Sequence, residues 1–510
     1  MAHINHKTNN LSQRVARGGV WIFLLKLGRK IFGILRLIII GRILHPSDFG
    51  LMGIALLTLA AIQTISQTGY QSALVQRKES LEGYLDTVWT VLILRGFLLF
   101  VSVYVIAPWI GVFFANEKVI PIIRFLGFSV FLQSFGNIGL VYFTRKLTFH
   151  KIFIYHFIGT FVNFVVAVST AILLKNVWAL VLGLFAEKIV SLVLSYSLHP
   201  YRPHLHLNVK KARELFHFGK WVLGAKTLIF LGEHLDDLLV GRMINATALG
   251  FYQMGYRISN MLETEITQVV SSVTFPGYAL LQDHQEKLNK AYFKVLKLVT
   301  TLSIPMAVGI YILASEFTLV FLGEKWLLMV PAMQFLAIAG FIKSLTATGS
   351  PLFIGTGYPR YDFYMQLVRG IFIMIVIYPF IQLQGIRGAS LAVVISVAGM
   401  LIVWLPMSRK MTGARYGQYL HSFGPPFISA GLMFGFIKVA KVYWQPMPGQ
   451  LLNNICHFSL LVFLSILVYG LGLLFSQRFF PRYDLEGELR YLRESLFLQH
   501  NRHNDNADTN

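Results

Sequence analysis

The sequence predicts an all-α integral membrane protein of about fourteen transmembrane helices, two parallel six-helix repeats followed by two further helices. Three observations predict it. The 510 residues are 55% hydrophobic with a mean hydropathy of +0.60, and apolar stretches near the ~20 residues that a helix needs to cross a bilayer core recur throughout. Lys and Arg alternate in density from loop to loop. Finally, Gly19, Trp21, Lys26, Gly41, Arg42 and Gly50 recur 200 residues later as Gly219, Trp221, Lys226, Gly241, Arg242 and Gly250, without a gap. Six identities in 32 residues exceed the roughly two that average amino-acid usage produces, and they include Trp, Gly and Lys rather than interchangeable aliphatics.

Hydropathy places spans near 18–41, 48–70, 85–107, 119–142, 152–173, 177–198, 219–242, 248–275, 295–314, 328–347, 361–381, 387–407, 424–443 and 454–475. Six of them separate Gly19 from Gly219, and an even number returns the chain to the same side. The copies are therefore parallel, related by an axis along the membrane normal. The expected organisation is an N-terminal lobe over 1–198, a linker over 199–218, a C-terminal lobe over 219–410, two extra helices over 411–476 and a polar tail over 477–510. Met1–Gln13 is polar and leads into a full-length charged span, so it does not read as a signal peptide.

The formal charge of +22 sits mainly in alternate loops, such as Arg145, Lys146 and Lys151, then Lys210, Lys211 and Arg213, then Arg409, Lys410 and Arg415. The positive-inside rule puts those loops and both termini in the cytoplasm, and no nucleic-acid partner is needed to explain the charge. The lone Cys456 excludes an intrachain disulfide and a cysteine-based metal site. His199, His204 and His206 in the linker lack a carboxylate or Cys to complete a metal set, so they read as part of a basic interfacial segment. No GxxxxGK[ST], HExxH or GxSxG pattern occurs and no loop holds a soluble domain; no catalytic residue, metal or cofactor is expected.

Ionisable side chains near a bilayer centre cost at least about 2.5 kcal/mol, so each marks a candidate site. Lys26, Arg29, Lys30 and Arg36 of the first span fall within an arc of about 120°, one cationic stripe. In the seventh span Lys226 repeats Lys26, but Gly33 is answered by Glu233, Arg36 by Asp236 and Leu37 by Asp237. Lys226, Glu233 and Asp237 share an arc of about 40°. Two roles follow for the acids: binding a coupling H⁺ or Na⁺, or balancing the cationic stripe. Glu263 in the eighth span joins this set. Arg95, Arg257 and Arg369 sit deep in other spans, where guanidinium groups suit bidentate bonds to a phosphate. Glu187 and Lys188 are adjacent in the sixth span and point apart.

Gly41-Arg-Ile-Leu-His-Pro-Ser-Asp-Phe-Gly50, Ile62-Gln-Thr-Ile-Ser-Gln-Thr-Gly69 and Ala73-Leu-Val-Gln-Arg77 resemble the Wzx-type oligosaccharide flippases of the polysaccharide-transporter family. So do Leu235-Asp-Asp-Leu-Leu-Val-Gly-Arg242 and Leu249-Gly-Phe-Tyr252. The likeness spans nearly the whole chain and is nearest the colanic-acid-exporter type. It implies a V-shaped fold of two lobes shared with multidrug and toxic-compound extrusion transporters, working by alternating access in the bacterial inner membrane. The implied substrate is an undecaprenyl-pyrophosphate-linked oligosaccharide, handed on to polymerase and export machinery. A drug or organic-cation antiporter of the same superfamily would instead present an acidic cavity, against which the cationic stripe argues. A membrane-embedded glycosyltransferase or polymerase would need a sizeable outer loop, and lipid-linked peptidoglycan precursor is an alternative cargo.

Overall fold

The computed structural model describes residues 2–66, 83–146, 148–208, 230, 232–444, 450–476 and 479–480, with the backbone alone for 2–20, 22–23, 65, 261–269 and 271–273. Every regular element among them is helical. In chain order these are α1 (Ala2–Ile43), α2 (Pro46–Ile65), α3 (Leu85–Phe113), α4 (Val119–Ser134), α5 (Val141–Arg145), α6 (Phe149–Leu174) and α7 (Trp178–Leu198). Then follow α8 (232–243), α9 (Ala246–Leu280), α10 (Gln285–Phe317), α11 (Val330–Thr346), α12 (Gly349–Gly355), α13 (Pro359–Thr412), α14 (Tyr416–Tyr443) and α15 (Leu451–Ser476).

Local chemistry sets the boundaries. Pro46 occupies the first turn of α2, where its missing N–H costs nothing, and the Asp48 carboxylate accepts the His45 N–H at 3.0 Å. Asp48 also accepts the Val177 N–H at 3.1 Å, fixing the start of α2 beside the start of α7. A left-handed Lys175 (φ 50°) closes α6, and a left-handed Gly413 (φ 68°) closes α13. The 54 residues of α13 are two helices joined at Gly385, whose φ of 58° and ψ of −132° no side-chain-bearing residue adopts cheaply. The sequence predicts this break between its eleventh and twelfth spans.

Nine helices of the described residues are long and apolar enough to cross a membrane, or ten if the pair Val119–Ser134 and Ile138–Arg145, bent by 68°, counts as one span. Leu94, Phe97, Leu98, Val105 and Val112 are all exposed on α3, and Phe463, Ile466, Leu467 and Leu471 on α15. Such continuous apolar surface is compatible with lipid and not with water. Half of the seventh predicted span, including Gly219, Trp221 and Lys226, lies outside the described residues.

The chain divides into two compact units: Met1–Tyr256 with Phe321–Ala332 and Ile373–Ala392, and Arg257–Val320 with Met333–Phe372 and Val393–Asn510. In the first, α6 packs on α7 and on α1. Phe32 of α1 meets Phe157, Phe161 and Phe164 edge-on or tilted, and Gly28 lets the Phe157 ring approach. The same unit joins the two sequence repeats directly: a Cβ on Gly50 would overlap the Ala246 carbonyl, and a Cβ on Gly250 the Pro46 carbonyl. Residues 46 and 246, and 50 and 250, are repeat equivalents, so this contact is two-fold symmetric. Its flanks are locked by the buried Trp326, whose indole donates to the Gly41 carbonyl at 2.8 Å and meets Phe49 and Phe251 edge-on. Arg42 Nε donates to the Phe321 carbonyl at 2.9 Å, while Arg242 lies over the Phe113 ring at 5.4 Å. Both repeat-conserved arginines thus anchor to the end of the third long helix of the other repeat.

In the second unit α14 and α15 pack together and on α10 through Ile304, Leu313, Met433, Ile437, Leu461 and Leu473. A Lys441–Glu316 ion pair at 2.7 Å and a Tyr469 hydroxyl bond to the Thr301 carbonyl at 2.8 Å fix both helices to α10.

Candidate functional site

Helix α1 carries its four cations in two parts of the expected arc of about 120°. Phe32 and Gly28, facing α6, set the reference direction. Arg29 and Arg36 lie on one flank of that contact, about 20° apart, while Lys26 and Lys30 turn a further 60° or more away. Lys26 and Arg29 are exposed, Lys30 and Arg36 half-buried.

Arg36 Nη1 donates to Asn163 Oδ1 at 2.6 Å, and Asn163 Nδ2 donates to Glu187 Oε2 at 2.5 Å. Three helices, α1, α6 and α7, meet in this chain of bonds. His156 of α6 lies within electrostatic reach of Arg29, Glu187 and Lys188, and Tyr155 bonds Ser191. Sequence reasoning singled out Arg29 and Arg36 but not Asn163 or His156. The signal available was an amide and an imidazole inside an otherwise apolar span, each costly unless bonded.

The other predicted residues scatter. Arg95 is committed to α2: Nε reaches the Ser66 carbonyl at 2.8 Å and Nη2 reaches Ser66 Oγ at 2.9 Å and the Gln63 carbonyl at 3.2 Å. It serves the carbonyls that a helix end leaves without partners. Arg257 is exposed on α9 and Arg369 half-buried on α13. Lys226 lies outside the described residues, as does the Glu263 side chain.

The acidic segment of α8 resolves into three environments. Glu233 is exposed, Asp236 is buried, and Asp237 is half-buried. The Tyr252 hydroxyl, fully buried, donates to Asp236 Oδ2 at 2.6 Å. His234 Nδ1 lies 3.4 Å from Asp237 Oδ2. The sequence aligned Glu233 and Asp237 on one face; burial instead singles out Asp236, one residue round the helix, because α9 brings Tyr252 against it.

The segment after α7 is ordered as a strap on α3. Its N–H groups at His204, His206 and Asn208 donate to Asp86 Oδ1, Thr90 Oγ1 and Thr87 Oγ1 at 2.9, 3.0 and 3.3 Å, and the Tyr201 hydroxyl donates to Asp86 Oδ1 at 2.6 Å. His199 Nδ1 accepts the Tyr201 N–H at 3.1 Å while its ring stacks on Tyr142 at 5.5 Å. Burial, then the neighbouring Lys151, Lys146 and Arg202, hold the imidazole below its usual pKa. Burial and the Asp86 bond push the Tyr201 phenol well above its usual range, so it remains a donor. Among the described residues no group of His, Cys, Asp and Glu could hold a metal.

Similarity to known proteins agrees with this architecture. The chain is 23% identical over 421 residues to the lipopolysaccharide biosynthesis protein WzxC of Escherichia coli (strain K12), covering 82% of this chain and 86% of that one. It is 24% identical to the succinoglycan biosynthesis transport protein ExoT of Rhizobium meliloti, with 71% and 73% covered. Among solved structures, the lipid II flippase MurJ in an inward closed conformation superposes with a TM-score of 0.71 at 14% identity, over 90% of this chain and 99% of that one. An inward-facing multidrug resistance MATE family transporter gives 0.61 at 15% identity, over 76% and 95%. The helical fold is therefore the one shared by these membrane transporters. The family described as polysaccharide biosynthesis protein matches residues 39–331, more than half of the 510 residues, and the chain belongs to that family.

Proposed function

We propose that the chain carries a polyprenyl-pyrophosphate-linked oligosaccharide from the cytoplasmic to the periplasmic leaflet of the bacterial inner membrane, by alternating access, with both termini cytoplasmic. The carrying observation is a set of cations, Arg29, Lys30 and Arg36, on the single helix α1 of a polysaccharide biosynthesis protein. A pyrophosphate crossing a bilayer must leave water, and fixed guanidinium and ammonium groups replace its hydration. Arg95, spent on the end of α2, is left out of this set. The transported sugars stay intact, so no covalent step and no catalytic residue is involved.

The contact of Asp237 with His234 supports a coupling role for the acidic segment, because an imidazole takes up and releases a proton in the physiological range. The coupling ion is then H⁺, with Na⁺ as the alternative that a gradient experiment separates. The product would pass to the polymerase and export machinery on the far leaflet.

The test is reconstitution. Purified protein in liposomes is expected to move a fluorescent polyprenyl-pyrophosphate sugar between leaflets and to leave a cationic drug where it is. Drug efflux without lipid movement would replace this reading by that of an organic-cation antiporter.

A further inference from the structure

The strap over 199–208 ties together the start of α3, the end of α5, the start of α6 and the end of α7. Three cations crowd this edge. Lys146 lies 5.6 Å over the Tyr142 ring and Lys151 5.1 Å over the Phe143 ring, and both rings pack on His199, at 5.5 and 5.4 Å. Arg202 donates to the His199 and Tyr201 carbonyls at 2.9 and 3.1 Å and lies 5.7 Å over the Tyr196 ring. All three cations act on the His199 imidazole and disfavour its protonated form, a measure of the positive field gathered here.

The edge supplies them with no anion. Among the described residues none of the three forms an ion pair. The Asp86 Oδ1 atom is taken by the Tyr201 hydroxyl and the His204 N–H, at 2.6 and 2.9 Å. Cations held close together without a counter-charge repel one another, so an anion from outside is drawn to them.

The surroundings decide which anion. The strap N–H groups at 204, 206 and 208 turn toward α3, and the two leucines between them are left uncovered, Leu205 at 73% and Leu207 at 49% exposure. Thr90, which accepts the His206 N–H, lies on the same face of α3 as Leu94, Phe97 and Leu98, all exposed. The strap therefore covers α3 one turn before that face becomes continuous apolar surface. Exposed leucines beside aromatic rings and ammonium groups match a bilayer boundary, where rings sit at headgroup level and lysine stems reach the phosphates. A soluble phosphate would meet the cations and leave the leucines in water.

We propose that this edge is a docking site for anionic phospholipid headgroups of the bilayer: Lys146, Lys151 and Arg202 hold the phosphodiester, Leu205 and Leu207 sit at the acyl boundary, and membrane charge sets how firmly the strap is held on α3. The lipid is a resident one, and the site does not depend on what the chain transports.

The experiment is hydrogen–deuterium exchange over 199–208 in the full chain, in nanodiscs of phosphatidylcholine alone and with added phosphatidylglycerol, at one pH and ionic strength. The anionic lipid is expected to slow exchange at the His204 and His206 N–H groups by at least about fivefold, the factor that one cation near a charged membrane surface supplies. Lys146→Gln with Lys151→Gln, whose ammonium groups meet rings and not the strap backbone, is expected to abolish the slowing. Lys287→Gln with Lys410→Gln, an equal loss of charge outside this edge, is expected to keep it. Equal exchange of the wild type in both bilayers, a comparison that needs no variant, overturns the site. Equal slowing in the two lysine pairs, each melting with the wild type, reduces the effect to bulk surface charge and overturns it too. Slowing by inorganic phosphate in phosphatidylcholine nanodiscs would replace the lipid by a soluble anion, and slowing by a polyglutamate peptide but not by phosphatidylglycerol would replace it by an acidic protein.

Discussion

Arg95 reaches the last turn of α2 through Nε and Nη2, bonding two carbonyls and the Ser66 hydroxyl. Arg95→Ala is therefore expected to lower stability by about 1–3 kcal/mol, read as a lower melting temperature in detergent, with farnesyl pyrophosphate affinity unchanged in the folded fraction. Arg29→Ala is expected to do the reverse, abolishing polysaccharide export in a complementation assay at wild-type expression and melting temperature. Tyr252→Phe strips the donor from the buried Asp236 carboxylate and is expected to cost about 1–3 kcal/mol, again in thermal unfolding. Each of these charges is visible in the sequence as an ionisable residue in an apolar run. Their partners are not: Asn163 is 127 positions from Arg36, and Ser66 is 29 from Arg95. Only neighbours three or four residues apart leave a local trace, as His234 and Asp237 do.

Helices follow the hydropathy pattern closely because length and composition alone decide whether a segment can cross a bilayer. What the pattern does not announce is how closely two helices approach. Gly50 and Gly250 each lie against the backbone of the opposite repeat, so Gly50→Ala or Gly250→Ala is expected to sharply reduce the monodisperse peak in size-exclusion chromatography. Gly33→Ala is the contrasting case, with open space where its Cβ would go, and is expected to behave as wild type. The repeat offset marked Gly50 and Gly250 as special, and the crossing supplies the reason.

The strap from His199 to Asn208 reads in sequence as a basic linker and in the structure as a bonded edge of α3. Its pH response follows from His199 Nδ1 accepting a backbone N–H, which requires that nitrogen to be unprotonated. The docked imidazole has its pKa depressed, whereas the undocked one titrates at its ordinary 6.5. Docking is therefore at full strength above pH 6.5 and weakens as pH falls through that value toward the docked pKa, where only the free strap takes up a proton. Hydrogen–deuterium exchange over residues 199–208 is expected to be slow at about pH 7.5 and faster at about pH 5.5 beyond the intrinsic pH effect, and His199→Gln should flatten the difference.

At the scale of the whole molecule, neutralising the acidic segment tests how transport is driven. Asp237→Asn is expected to leave lipid binding intact and to remove the dependence of leaflet transfer on an imposed proton gradient; the same dependence in the variant would reduce Asp237 to charge balance. The sequence by itself determined that the chain is a polytopic helical membrane protein, that it repeats itself at an offset of 200, and which apolar runs carry ionisable residues. These properties follow from transfer free energies and identities that are additive along a chain. Tertiary structure decided which arginine is held by a carboxylate through an amide, which one closes a helix, and which carboxylate is buried. Those outcomes depend on helix faces meeting within about 3 Å, a condition of three-dimensional packing that no periodicity in one dimension encodes.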